Sequence, residues 1–143
     1  MQARPILYTV GTDLRSVEDF MEIIHAYEIR AVLDVRSYPR SKLPHFSGET
    51  LPGLLASNGI AYHFLGKELG GMRKGGYTAY IVTDGFREGI RALEAIARET
   101  LSVIICAERF PWKCHRKWIS FELQKQGWEI RHIIDKGKVW TPK

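Results

Sequence analysis

LSVIICAERFPWKCHRKWISFELQKQG, residues 101 to 127, changes its periodicity halfway. Leu101 to Cys106 is a short, nearly continuous apolar run rich in β-branched residues, the pattern of a strand covered on both faces. Past Pro111, the segment Lys113 to Gln126 reads as a helix that Gly127 stops. A strand feeding a helix through a short polar loop is the repeating unit of an α/β domain.

The same alternation continues in both directions. Ile6 to Val10, Ala31 to Val35, Ile60 to Phe64 and Trp128 to Ile134 are further strand-like runs. Between them, Ser16 caps a helix with Asp19 three residues on, and Val17, Phe20, Ile24 and Tyr27 recur on one face. Asp84 caps another, in which Phe86, Ile90, Leu93 and Ala97 keep helical spacing. Leu51 to Ser57 reads as a shorter helix ended by Asn58-Gly59. With 143 residues, 45% of them hydrophobic, and no internal repeat or linker, the chain is expected to be one domain over residues 1–143. The expected architecture is a three-layer, doubly wound α/β domain. Its mainly parallel sheet should have about five strands, in the Rossmann-like or flavodoxin-like manner.

No stretch has the roughly 18 uninterrupted apolar residues of a membrane helix, and the N-terminus lacks the features of a signal peptide. Two cysteines are too few for a secreted disulfide framework. These features lead to the expectation of a cytoplasmic protein with no membrane partner.

In doubly wound domains ligands bind beyond the carboxyl ends of the strands. The three longest segments there, 36–46, 65–76 and 108–117, hold ten of the 21 lysines and arginines but only two of the 16 acids, Glu68 and Glu108. Exposed loops are often charged, but that alone does not explain the shortage of acids. The segments are therefore expected to face an anionic small molecule or nucleic acid.

Within CAERFPWKCHR, residues 106–116, the cysteine spacing does not suit a closed zinc site, and no metal or cofactor is expected. Phosphatase and rhodanese loops carry an arginine five or six residues past the cysteine, but here Pro111 and Trp112 occupy those positions. Cys106 therefore reads as a small buried strand residue. Cys114 falls in the first turn of the expected helix, beside His115 and Arg116, where a thiolate is favoured. It reads as a nucleophile, as packing, or as part of an anion cradle with Arg116. Glu108 and His115 are acid/base candidates, and Glu108 is also a candidate ion-pair partner of Arg116.

The second constellation is VLDVRSYPRSKLPHF, residues 32–46. Asp34 and Arg36 leave the same face of a strand end, either as a buried ion pair or as substrate ligands. Arg40 and Ser41 follow as anion-binding candidates, with Gly11 and Thr12 of the first loop. A single glycine in that first loop argues against dinucleotide binding. LGGMRKGG reads as a mobile lid or a flexible turn.

The succession T-V-G, DVRSYPRS with P-x-F after it, ELGG and C-A-E-x-x-P-x-x-C-H-R resembles the domain of unknown function 488 family over nearly the whole chain. The resemblance implies an α/β fold and no particular activity. Members commonly carry His-Ser after the first-strand glycine, where this chain has Thr12-Asp13. The functional expectation is an enzyme acting on an anionic, nucleotide-like substrate, with Arg36, Arg40 and Arg116 as clamps converging on one depression. The alternative is a non-catalytic nucleic-acid-binding or adaptor domain using the same basic face.

Overall fold

A computed structural model of the chain describes residues 4–41 and 43–142, so Lys42, one of the loop cations, lies outside the described residues. Six strands form one sheet: β1 (Ile6–Gly11), β2 (Ala31–Asp34), β3 (Ala61–Phe64), β4 (Ser102–Cys106), β5 (Glu129–Asp135) and β6 (Lys138–Trp140). Their spatial order is β3-β2-β4-β1-β5-β6, with every pair parallel except β5 and β6. This order differs from both the 3-2-1-4-5-6 and the 2-1-3-4-5 arrangements of common doubly wound sheets.

The sixth strand was not anticipated. It is three exposed residues reached through Lys136-Gly137, with Gly137 at φ +78°, so it leaves no apolar run in the sequence. Two short helices, α3 (Gly66–Leu69) and α4 (Tyr77–Tyr80), flank LGGMRKGG, the stretch expected to be a lid or flexible turn. That stretch is tied down: the Tyr77 and Tyr80 hydroxyls donate to Leu69 O and Glu68 O, and Arg73 donates to Gly70 O and Lys67 O.

Period-two alternation sends successive strand residues to opposite sides of the sheet. On one side Tyr8, Val10, Val103, Ile105 and Ile133 pack under α1 (Val17–Ala26) and α2 (Leu51–Ala56). On the other, Leu7, Leu33, Ile104, Cys106 and Ile130 pack under α5 (Asp84–Glu99) and α6 (Arg116–Lys125). Ser16 caps α1 as its sequence indicates, the hydroxyl accepting from Asp19 N at 3.0 Å. The cap of α5 is Thr83 rather than Asp84, which becomes the first helical residue. No helix among the described residues is long and apolar enough to cross a membrane.

The chain lays β2 and β3 to one side of β1, returns to place β4 between β2 and β1, and then crosses to β5. Helices α1 and α2 cover one face and α6 the other, so the connections part at the carboxyl end of β4. Such switch points open the crevice used by open α/β sheets.

Candidate thiolate site at the end of the fourth strand

The loops after β1 and β4 are stitched together by their backbones. Thr12 N donates to Cys106 O at 2.7 Å and Asp13 N to Ala107 O at 2.8 Å. A Cβ at Gly11 would sit 1.9 Å from Glu108 O, so only glycine lets the two loops meet. Gly11 and Thr12, expected as anion ligands, therefore hold this junction: Gly11 O accepts from Arg15 Nε, and Thr12 is buried.

After β4 the chain turns through a 3₁₀ segment, Pro111–Lys113, and α6 begins only at Arg116. Cys114 thus lies just before the helix rather than in its first turn. Its sulfur still serves the helix start, accepting from Arg116 N at 3.3 Å. The second sulfur is close: Cys106 Sγ is 2.7 Å from Cys114 Sγ, and both cysteines are free. Cys106 is core packing as expected, but it is also a partner of the second thiol.

Arg116 organises this pair. It is fully buried, with 0% of its surface exposed. Its Nε donates to Cys106 Sγ at 2.9 Å and, more distantly, to Cys114 Sγ at 3.4 Å. Nη1 donates to Thr9 Oγ1 at 2.8 Å, and Nη2 to Glu108 O at 2.6 Å and Arg109 O at 3.2 Å. No carboxylate among the described residues pairs with Arg116. The expectation of an open anion clamp is corrected: the fork faces inward because Thr9 and Cys106 share the α6 side of the sheet. Glu108 meets Arg116 through its backbone carbonyl, while its side chain is exposed.

A buried guanidinium without a counter-ion is costly, and the groups best placed to supply negative charge are the sulfurs. The Cys114 thiol is held well below its ordinary value of 9.0, at about 4, by the hydrogen bond from Cys106 first; burial opposes the shift, while His115 and Arg116 reinforce it. Cys106 moves the other way, pushed up chiefly by burial. Such a pair releases its first proton in the acid range from the shared arrangement, with the charge resting on Cys114.

His115 closes the site on the β2 side. Its Nε2 lies 2.7 Å from Val35 O, and a carbonyl only accepts, so Nε2 carries the proton. A Cβ on Gly71 would press on the ring at 2.7 Å from Nδ1, and one on Gly70 would meet Ser37 Oγ at 2.3 Å. The paired glycines of LGGMRKGG thus permit close approach to His115 and to the loop after β2. Over Cys114 lies an open depression lined also by Gly71, Tyr77, Trp112, Lys113, His115 and Lys117. Arg36, Arg40, Glu108 and Arg116 do not line it.

The second constellation is structural. Arg36 and Asp34, 5% and 0% exposed, form a two-pronged pair at 2.8 and 2.7 Å. Tyr62 donates to the same carboxylate at 2.6 Å, and Arg36 Nη1 donates to Phe46 O. Neither Asp34 nor Arg36 has a free edge for a ligand. Arg40 is exposed, and Ser41 Oγ accepts from Leu43 N. Among the described residues no three His, Cys, Asp or Glu side chains gather as a metal site requires.

Thr9 and His132 were missed by the sequence reading. Both are buried polar residues inside apolar strands, facing each other in register on the α6 side. That pattern was the available signal.

No curated protein and no solved structure matches the chain. The family model described as Domain of unknown function DUF488 matches residues 16–76 and 72–123, a span that takes in α1, the Asp34–Arg36 pair, the glycine segment and both cysteines. The chain belongs to the Domain of unknown function DUF488 family.

Proposed function

We propose that the protein is an enzyme whose nucleophile is the Cys114 thiolate, acting on an anionic substrate that enters through the depression over the sulfur. The observation that carries this reading is the buried Arg116, whose Nε donates to two sulfurs and which pairs with no carboxylate among the described residues. A thiolate so held is ionised at neutral pH without needing a base to remove its proton. Sγ attacks an electrophilic atom, the sulfur–substrate bond forms, and the leaving group departs with the electron pair. Transfer of the bound group to water, which gives up a proton, returns the thiolate. Lys113 and Lys117 at the rim attract the negative charge of the substrate, and His115 and Arg116 hold the sulfur in place.

Two alkylating agents of equal size and opposite character test this. At pH 6 and low salt, iodoacetate is expected to modify Cys114 well before Cys106. Its rate relative to neutral iodoacetamide should exceed that ratio for glutathione by about tenfold. The Lys113→Gln/Lys117→Gln protein and added salt should both erase the excess. Peptide mapping that finds Cys114 unmodified, or a ratio equal to that of glutathione, removes the anionic-electrophile reading.

A further inference from the structure

A second pocket, of about 320 Å³, lies between α6 and the β5–β6 edge and is lined by Trp112, Lys117, Ser120, Phe121, His132 and Trp140. Its walls are aromatic and open to solvent: Trp112, Phe121 and Trp140 are 50%, 56% and 46% exposed. The rings are ordered against each other. Phe110 stacks on Trp112 at 5.1 Å between centroids, Trp140 meets Trp112 edge-on at 5.5 Å, and Trp140 stacks on His132 at 5.4 Å.

Two polar groups of this pocket lack protein partners. Ser120 is 3% exposed, and its hydroxyl is the buried side-chain polar atom that finds no hydrogen bond among the described residues. Native structures seldom leave such a group unpaired unless a ligand or water completes it. The other is an edge of His132. Thr9 Oγ1 accepts from Arg116 Nη1 and is also hydrogen-bonded to His132 Nδ1 at 2.6 Å, so Nδ1 is engaged inside the protein. The ring's other nitrogen, Nε2, is the polar edge left over, a donor or an acceptor according to the tautomer. Nε2 has no partner among the described residues. Burial first and then the Arg116 charge lower the His132 pKa to about 3, so the ring stays neutral across the physiological range.

We propose that this pocket binds a nucleobase, stacked on the exposed tryptophans and hydrogen-bonded through its polar edge to Ser120 Oγ and His132 Nε2. A planar heterocycle with acceptors and donors on its rim matches both the flat walls and the two unpaired groups. Lys117 lines this pocket as well as the depression over Cys114, which puts a cation where the phosphate of a nucleotide would extend. The base comes either from a free nucleotide or from a single strand.

Tryptophan fluorescence of the full chain tests the site. Adenosine, guanosine, cytidine and uridine 5′-monophosphates are titrated beside ribose 5-phosphate. Saturable quenching by one or more nucleotides is expected, with no competition from ribose 5-phosphate. Trp140→Ala should weaken binding about tenfold. Ser120→Ala removes a hydroxyl that bonds nothing in the protein, so it should keep the fold and weaken binding about fivefold. Tighter binding of a short single-stranded oligonucleotide identifies a strand as the source, and equal binding identifies the free nucleotide. Absence of binding, equal competition by ribose 5-phosphate, or unchanged affinity in both folded variants overturns the proposal. Cys114→Ser should bind like the native chain, so a failure of the nucleobase site and a failure of the nucleophile are read separately.

Discussion

Arg116→Met is expected to cost about 3–5 kcal/mol of stability at pH 7 and to raise the first ionisation of the Cys106–Cys114 pair. The guanidinium donates to two sulfurs, a hydroxyl and two carbonyls, and its removal takes that donor from each of them. Methionine fills volume but leaves the carbonyls of Glu108 and Arg109 without their donor. The thiolate also loses one of the charges that lower its pKa, although the larger contribution from Cys106 remains. Reaction rate at one pH is a poor gauge of this change, because a thiolate of higher pKa is intrinsically the better nucleophile. The shape of the profile is the gauge. Native Cys114 should reach half its plateau alkylation rate at about pH 4, whereas the midpoint of the folded variant should lie at higher pH and its plateau rate should be greater. Stability follows the same proton. With a folded value near 4 against 9.0, the unfolded chain binds a proton between those values that the native chain does not. Native stability therefore rises with pH across that window and is lost as pH falls through about 4. An alkylation midpoint unchanged from the native one in a folded Arg116→Met protein would dissociate the arginine from the sulfur.

Asp34→Asn is expected to be comparably damaging, by about 3–5 kcal/mol, for the mirrored reason. It removes the carboxylate paired with a guanidinium that is 5% exposed, and it turns an amide N–H toward donors already present from Arg36 and Tyr62. Removing both charges with Asp34→Asn/Arg36→Met should cost less than the sum of the two single changes by about 1–3 kcal/mol, the signature of a directly interacting pair. Urea unfolding at pH 7 with unchanged slope measures each value. Single-variant losses below about 1 kcal/mol would mean that the pair is not the fastener between β2 and the Phe46 segment, and would restore Asp34 as a candidate ligand.

Residue alternation explains what was legible and what was not. The buried central strands β1, β2 and β4 announce themselves because both faces are covered, and α5 because Phe86, Ile90, Leu93 and Ala97 share a face. Strand β6 is silent because its three residues are exposed. The sequence motif gathers Cys106, Cys114, His115 and Arg116, but charge alone does not say whether an arginine points outward or inward. That depends on which side of the sheet Thr9 and Cys106 face and on where α6 begins, two facts fixed by tertiary packing. Arg36 and Arg116 look like ligands in sequence and are both structural cations in the fold. The tryptophan pocket was invisible because it joins β6, α6 and the 3₁₀ turn, segments that the sequence order keeps apart.

The proposed chemistry requires a thiolate at Cys114 near neutral pH. Thiolate absorbance near 240 nm, recorded against pH for the native protein with Cys114→Ser as the blank, tests it most directly. One thiolate per chain is expected to appear with a midpoint in the acid range, about 4, and to be missing from the serine protein. A native midpoint in the ordinary thiol range, about 8.5, would contradict it.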